Sequence, residues 1–128
     1  MKLSPHRLGA LGERVAADYL RTHGYRILYR NVKTKAGEID IVALKHRMIV
    51  IAEVKTRQRL LSAEIAPLEA VDSKKRKQIR RLTMQFARQH SLQLRRLRVN
   101  SIRFDVIAIV AAKGRWPTLR HVPDAFSQ

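Results

Sequence analysis

In a chain with 27 Lys and Arg against 10 Asp and Glu, the placement of the few acids is informative. Asp40 interrupts the apolar run Glu38–Leu44. Glu53 interrupts Met48–Lys55, and Lys55 follows it two residues later. Side chains at i and i+2 of a strand share a face. Glu53 and Lys55 therefore point the same way, in line with Ile49 and Ile51, and Glu38 shares a face with Asp40. A tight turn at Lys45–Arg47 would join the two runs as a hairpin, and counting outward sets Asp40 roughly opposite residues 52–53. A slip of one residue would turn it to the other face. Two carboxylates at one strand edge repel each other and are costly to desolvate. A divalent cation removes that penalty. Hard oxygen ligands suit Mg²⁺ or Mn²⁺, which keep several waters and take substrate phosphate oxygens as further ligands. A lysine beside them can hold or help deprotonate an attacking water, or stabilise the charge of the transition state. These are the parts of metal-assisted phosphodiester hydrolysis.

The elements that must position these groups follow from periodicity. Leu8, Leu11, Val15, Ala16, Tyr19 and Leu20 recur at helical spacing and predict a helix over Pro5–His23, with Ser4 as cap, Pro5 in the first turn and Gly24 at the stop. Strands are expected at Tyr25–Tyr29, Glu38–Leu44 and Met48–Lys55. Their short connections, Asn31–Gly37 and Lys45–Arg47, suggest an antiparallel meander. Residues 56–72 read as a long connection without a clear period. The helical period returns from Ser73 to His90 through Ile79, Leu82, Phe86 and Ala87. Ile102–Val110 reads as an apolar strand, and Thr118–Val122 as a marginal one. Helices separated by strands point to one α/β sandwich around a mixed sheet.

Length and charge bound the function. The 128 residues make one domain, and 45% apolar content supports a modest core. The net charge of +17 and the sequence pI near 11.5 make a polyanion the natural partner, nucleic acid above all. The absence of cysteine excludes disulfides, cysteine-ligated zinc and thiol catalysis. No apolar run is long enough for a membrane span or a secretory signal, so a cytoplasmic protein without a membrane partner is expected. The outer face of the second helix carries Lys74, Lys75, Lys77, Arg80, Arg81 and Arg88, with no acid after Asp72. A merely solvated face normally mixes signs, so this one is expected to contact phosphates. No groove-reading motif such as a zinc finger or basic zipper is present.

The arrangement of Asp40 and Glu53-Val54-Lys55 resembles the PD-(D/E)xK motif of restriction-endonuclease-like nucleases. More closely, LGERVAADYL (11–20), YRNVKTKAGEIDIVA (29–43), EVKTR (53–57), AVDSKK (70–75), RFDVIAI (103–109) and DAF (124–126) resemble the YraN-like family of small bacterial proteins. The resemblance implies a restriction-endonuclease-like α-β-β-β-α-β core, similar to archaeal Holliday junction resolvases, and a metal-dependent endonuclease acting on DNA. It implies that Asp40 and Glu53, with the Val54 carbonyl, ligate Mg²⁺ and that Lys55 is the motif lysine. Glu13 matches the acidic helix residue that helps bind or orient the metal cluster. Lys75 falls at the lysine of the family's AV…K stretch and is the best single choice for a phosphate contact. Resolvase-like action on a two-fold junction would call for a homodimer. One departure is visible: the common Pro before the motif aspartate is Ile39 here.

Simpler readings stand beside these. Asp40, Glu53 and Lys55 could form a strand-end ion pair, and Glu13 could be an ordinary helix-surface acid. Arg103 and Asp105 share a face and are expected to pair structurally. The five histidines lack ligand spacing and read as surface or packing residues. Tyr19, Tyr25 and Tyr29 are expected in the core or at its rim, and Trp116 is expected to cover the core rather than stack on a base. The alternatives to a nuclease are a non-catalytic nucleic-acid-binding module that keeps the fold, and a small basic ribonucleoprotein component. The last explains the charge but not acids lodged in apolar strands.

Overall fold

Ser4 sets the start of the first helix: its Oγ accepts the Arg7 N–H at 3.2 Å, and Pro5 occupies the first turn. Helix α1 runs Pro5–Thr22 in the computed structural model, which describes residues 3–59 and 73–125. Gly24, at φ +86°, ends it, and the Tyr25 N–H returns to the Leu20 carbonyl at 2.9 Å. The chain continues through β1 (Arg26–Thr34), β2 (Gly37–Lys45), β3 (Met48–Arg59), α2 (Ser73–Gln89), α3 (Ser91–Arg96), β4 (Ser101–Ala112) and β5 (Thr118–Val122).

All five strands join one mixed sheet in the order β1-β2-β3-β4-β5. The first three form the expected antiparallel meander; β4 lies parallel to β3, and β5 returns antiparallel. A parallel neighbour needs a crossover, and α2 and α3 lie on that connection. The two faces of the sheet have separate cores. Ala16, Ala17 and Leu20 of α1 pack on Ile41, Ala43, Ala52, Ile107 and Ile109. Ile79, Leu82 and Phe86 of α2 pack on Ile39, Val42, Ile49, Ile51, Phe104 and Val106. The order is thus the expected α-β-β-β-α-β, with a short helix inserted and a fifth strand added.

Two strands run well past their expected ends, and one helix was not expected. β1 runs on to Thr34 through residues expected to be a turn, because β2 supplies a partner as far as Thr34↔Gly37. Its polar side chains face outward, as an edge strand permits. β3 continues to Arg59, carried by an unbroken parallel ladder whose last pair is Arg59↔Ala112. Residues 91–96 form α3, which their basic composition did not announce. The rest of the expected long connection lies outside the described residues. Among the described residues, no helix is long and apolar enough to cross a membrane.

Candidate active site

The β2–β3 ladder runs from Lys45↔Met48 to Ile41↔Ala52 and stops there. Beyond it β3 stays paired with β4. Asp40 and Glu53 are the next residues on the two strands, so they face each other where the strands part. One oxygen of Asp40, Oδ2, accepts the main-chain N–H of Val54 at 2.8 Å. Asp40 and Glu53 line the same cleft, about 170 Å³, with Glu38, Lys75 and Gln78 at its polar wall and Phe104 among its apolar residues.

Glu13 reaches this point from the opposite face. Gly12 makes that possible: a Cβ there would lie 1.8 Å from Thr56 Oγ1, so α1 contacts β3 closer than any side chain would allow. Glu13 follows immediately, and its side chain is only 17% exposed. Among the described residues its buried Oε1 accepts no hydrogen bond, and Arg30 Nε stands 3.6 Å away. Burial pushes the Asp40 carboxyl above the usual carboxylate range. The Val54 N–H opposes the shift, and the Glu13, Glu53 and Glu38 carboxylates add to it.

The lysines divide. Lys55 follows Glu53 on the same strand face and makes no ion pair among the described residues. Glu53 is instead met by Lys75 of α2, whose Nζ donates to Oε1 at 3.3 Å. Lys75 thus turns into the cleft rather than out with its neighbours. Lys74, Lys77, Arg80 and Arg81 are exposed on the outer side of α2. No sequence signal announces the Lys75–Glu53 pair, because the two residues belong to elements whose relative placement no periodicity encodes.

Among the described residues, no three His, Asp or Glu side chains are drawn together as a ready-made cage. Mg²⁺ does not need one: it characteristically takes one or two carboxylates and completes its shell with water and substrate phosphate. The donor chemistry fits such an ion. The oxygens are hard, Glu13 Oε1 is buried without a hydrogen-bond partner, and Asp40 is a carboxyl whose charge this surrounding disfavours.

The family described as uncharacterised protein family UPF0102 matches residues 12–109. The chain belongs to this family. The match takes in α1 from Gly12 through most of β4, and with them Glu13, Asp40, Glu53, Lys55 and Lys75. Among its UPF0102 relatives, that of Trichlorobacter lovleyi is 42% identical over 93% of this chain and 89% of its own. That of Chlorobium phaeobacteroides is 42% identical over 98% of both. The relative from Syntrophotalea carbinolica is 45% identical over 93% of this chain and 90% of its own. UPF0102 membership agrees with the YraN-like resemblance of the motifs.

A second cluster lies on the α1 face of β4. Asp105 is fully buried and, as expected, takes a fork from Arg103: Nε to Oδ1 at 2.8 Å and an Nη2 bond to Oδ2 at 2.7 Å. Arg103 also donates to Tyr25 Oη at 2.8 Å. His121 is more than a packing residue. It joins Asp105 Oδ2 through Nε2 at 2.7 Å and Tyr19 Oη through Nδ1 at 2.9 Å. The Asp124 N–H adds a third partner, at 3.0 Å. Burial alone would raise the Asp105 carboxyl, but the hydrogen bonds from His121, Arg103 and Asp124 outweigh it and hold it below the usual range. The cluster ties α1 and Tyr25, which leads into β1, to β4 and β5. Trp116 was expected over the core; it is 91% exposed, because the β4–β5 turn carries it past the end of the sheet.

Proposed function

We propose that this protein is a metal-dependent endonuclease that hydrolyses phosphodiester bonds of nucleic acid, with DNA the expected substrate. The observation that carries the reading is the meeting of Asp40 and Glu53 where β2 and β3 part, beside an otherwise apolar sheet. Asp40 and Glu53, with the Val54 carbonyl, would hold Mg²⁺ or Mn²⁺, and Glu13 would orient that set from α1. When bound, the ion supplies Lewis-acid stabilisation of the charge that develops on the scissile phosphate. Lys55 stands on the Glu53 face of β3 to orient the attacking water and stabilise charge. The Val54 N–H fixes the Asp40 carboxylate in place. Lys74, Lys77, Arg80 and Arg81 provide the cationic face for the backbone, and Lys75 takes a phosphate at the cleft by releasing Glu53.

A second reading, a nucleic-acid-binding module without hydrolysis, has one observation in its favour. Glu53 is paired with Lys75, as a structural acid would be. That pair is partly exposed, worth about 0–1 kcal/mol, and a divalent ion can displace it. A panel of labelled duplex, single-stranded, flap and four-way-junction substrates with Mg²⁺ or Mn²⁺ separates the two. The enzyme reading predicts cleavage of at least one. Binding without cleavage across the panel leaves the module.

A further inference from the structure

β4 and β5 are joined by a turn that projects from the sheet. Gly114 takes φ +73°, and the Arg115 N–H closes on the Ala112 carbonyl at 3.2 Å. Trp116 sits in this turn, 91% exposed, and it is the one tryptophan of the chain. A singly exposed apolar side chain is ordinary; what sets this indole apart is the company it keeps. A protein partner is a poor candidate, because such interfaces show a contiguous apolar patch. The other exposed large apolar side chains among the described residues are Met84, Leu92 and Ile102, none of them in this turn. The neighbours of Trp116 are instead cationic. Lys113, Arg115 and Arg120 are exposed, and no acid lies between Asp105 and Asp124.

Topology relates this turn to the cleft. Glu53 stands opposite Val106 in the parallel pair, and the ladder runs on to Arg59↔Ala112. At about 3.3 Å per residue, the turn begins roughly 20 Å beyond Glu53. It lies at the end of the sheet where β3 finishes and β2 begins, the end that carries the acids. Lys55, Arg57 and Arg59 share the Glu53 face of β3 and mark a basic line from the cleft toward the turn. A flat aromatic side chain at the end of a basic track is the arrangement that holds single strands: cations follow the backbone while a base stacks on the ring.

We propose that Trp116 is a stacking platform for an unpaired nucleobase, so that the protein selects nucleic acid with a single-stranded or branched portion near the cleavage site. This rests on the nucleic-acid reading above and narrows its substrate class. In intact duplex the bases are already stacked on one another, so the platform adds little there.

The lone tryptophan makes the test direct. The 128-residue chain is titrated with an unlabelled thymidine oligonucleotide of about 20 nucleotides, longer than the ~4–16 a single-strand-binding fold occupies. Emission of Trp116 is followed, while anisotropy of a labelled copy reports binding independently. Stacking predicts loss of Trp116 emission in step with binding. Trp116→Ala should weaken oligonucleotide binding on the order of tenfold, as expected for one stacked base, and leave blunt-duplex binding unchanged. Trp116→Phe should restore most of the loss. The exposed position makes all three chains foldable. Binding by anisotropy with unchanged emission, or equal affinity of the Ala variant, would overturn the platform while leaving the nuclease reading intact. A concentration-dependent emission shift without oligonucleotide would assign the indole to a second copy of the chain. Failure to bind any nucleic acid would defeat both proposals.

Discussion

The Asp40 carboxylate accepts the Val54 main-chain N–H at 2.8 Å, so the first acid of the cleft is tethered to the strand that carries the second, Glu53. The tether spans the place where the β2–β3 ladder ends. A carboxylate therefore fills a gap that would otherwise leave a backbone donor without a partner. It also holds Asp40 among Glu13, Glu38 and Glu53, whose charges raise its proton affinity further.

One consequence is measurable without substrate. A carboxyl raised in the folded state disfavours folding once ionised. The penalty sets in as pH rises past the unfolded value near 3.9 and through the folded one, and it persists above. Asp40→Asn keeps an oxygen for Val54 and removes the charge. It should raise the melting temperature at neutral pH by roughly 2–8 °C and have little effect below about pH 4. Mg²⁺ should stabilise the wild type more than the variant. Thermal melts across pH, with and without Mg²⁺, give both comparisons.

Asp105 should behave in the opposite sense. Its carboxyl is held below the usual range by His121, Arg103 and Asp124. Its contribution is fully present above about pH 4, the unfolded value, and is lost as pH falls through the folded value. Asp105→Asn breaks the fork to Arg103 and should cost about 3 kcal/mol at neutral pH, read from urea unfolding. The cost should shrink in acid.

Gly12→Ala tests the approach of α1. The new Cβ would meet Thr56 Oγ1 at 1.8 Å and Thr56 Cβ at 2.8 Å, so the helix must shift. The expected loss is about 1–3 kcal/mol, as for overpacking. Displacing α1 also moves Glu13, and divalent-ion affinity should fall with stability. Thr56→Ala in the same chain should recover part of both.

Lys55 and Lys75 differ in surroundings and should differ in effect. Lys55→Ala should bind DNA nearly as well as wild type and cleave on the order of 10²-fold more slowly, through loss of a proton-handling or charge-stabilising group. Lys75→Ala should flatten the slope of log affinity against log salt by about one unit. Binding isotherms at several salt concentrations, with single-turnover rates, assign each lysine.

Much of this could be read from the residues. Asp40 and Glu53 are acids inside apolar runs, and the hairpin count from Lys45–Arg47 brought them within a residue of opposition. Arg103 and Asp105 were paired by strand alternation alone. What stayed hidden depends on long-range placement. Lys75 meets Glu53 only because α2 packs across that face, and His121 meets Tyr19 only because β5 returns beside β4. Gly12 looks like any helical glycine until Thr56 is set against it. β1 outran its expected end because its pairing with β2 outweighed a polar sequence. Trp116 precedes Pro117 in a loop, and nothing in its local sequence says whether that loop folds back over the core or, as it does, leaves the indole exposed.

If Asp40 and Glu53 form a hydrolytic centre, single-turnover cleavage with Mg²⁺ or Mn²⁺ must distinguish wild type from Asp40→Asn at equal amounts of bound nucleic acid. The variant should bind as wild type does and cleave at least about 10³-fold more slowly, the loss expected when several kcal/mol of charge stabilisation is removed. Equal rates in the two proteins, or no cleavage by the wild type of any substrate it binds, would contradict that role.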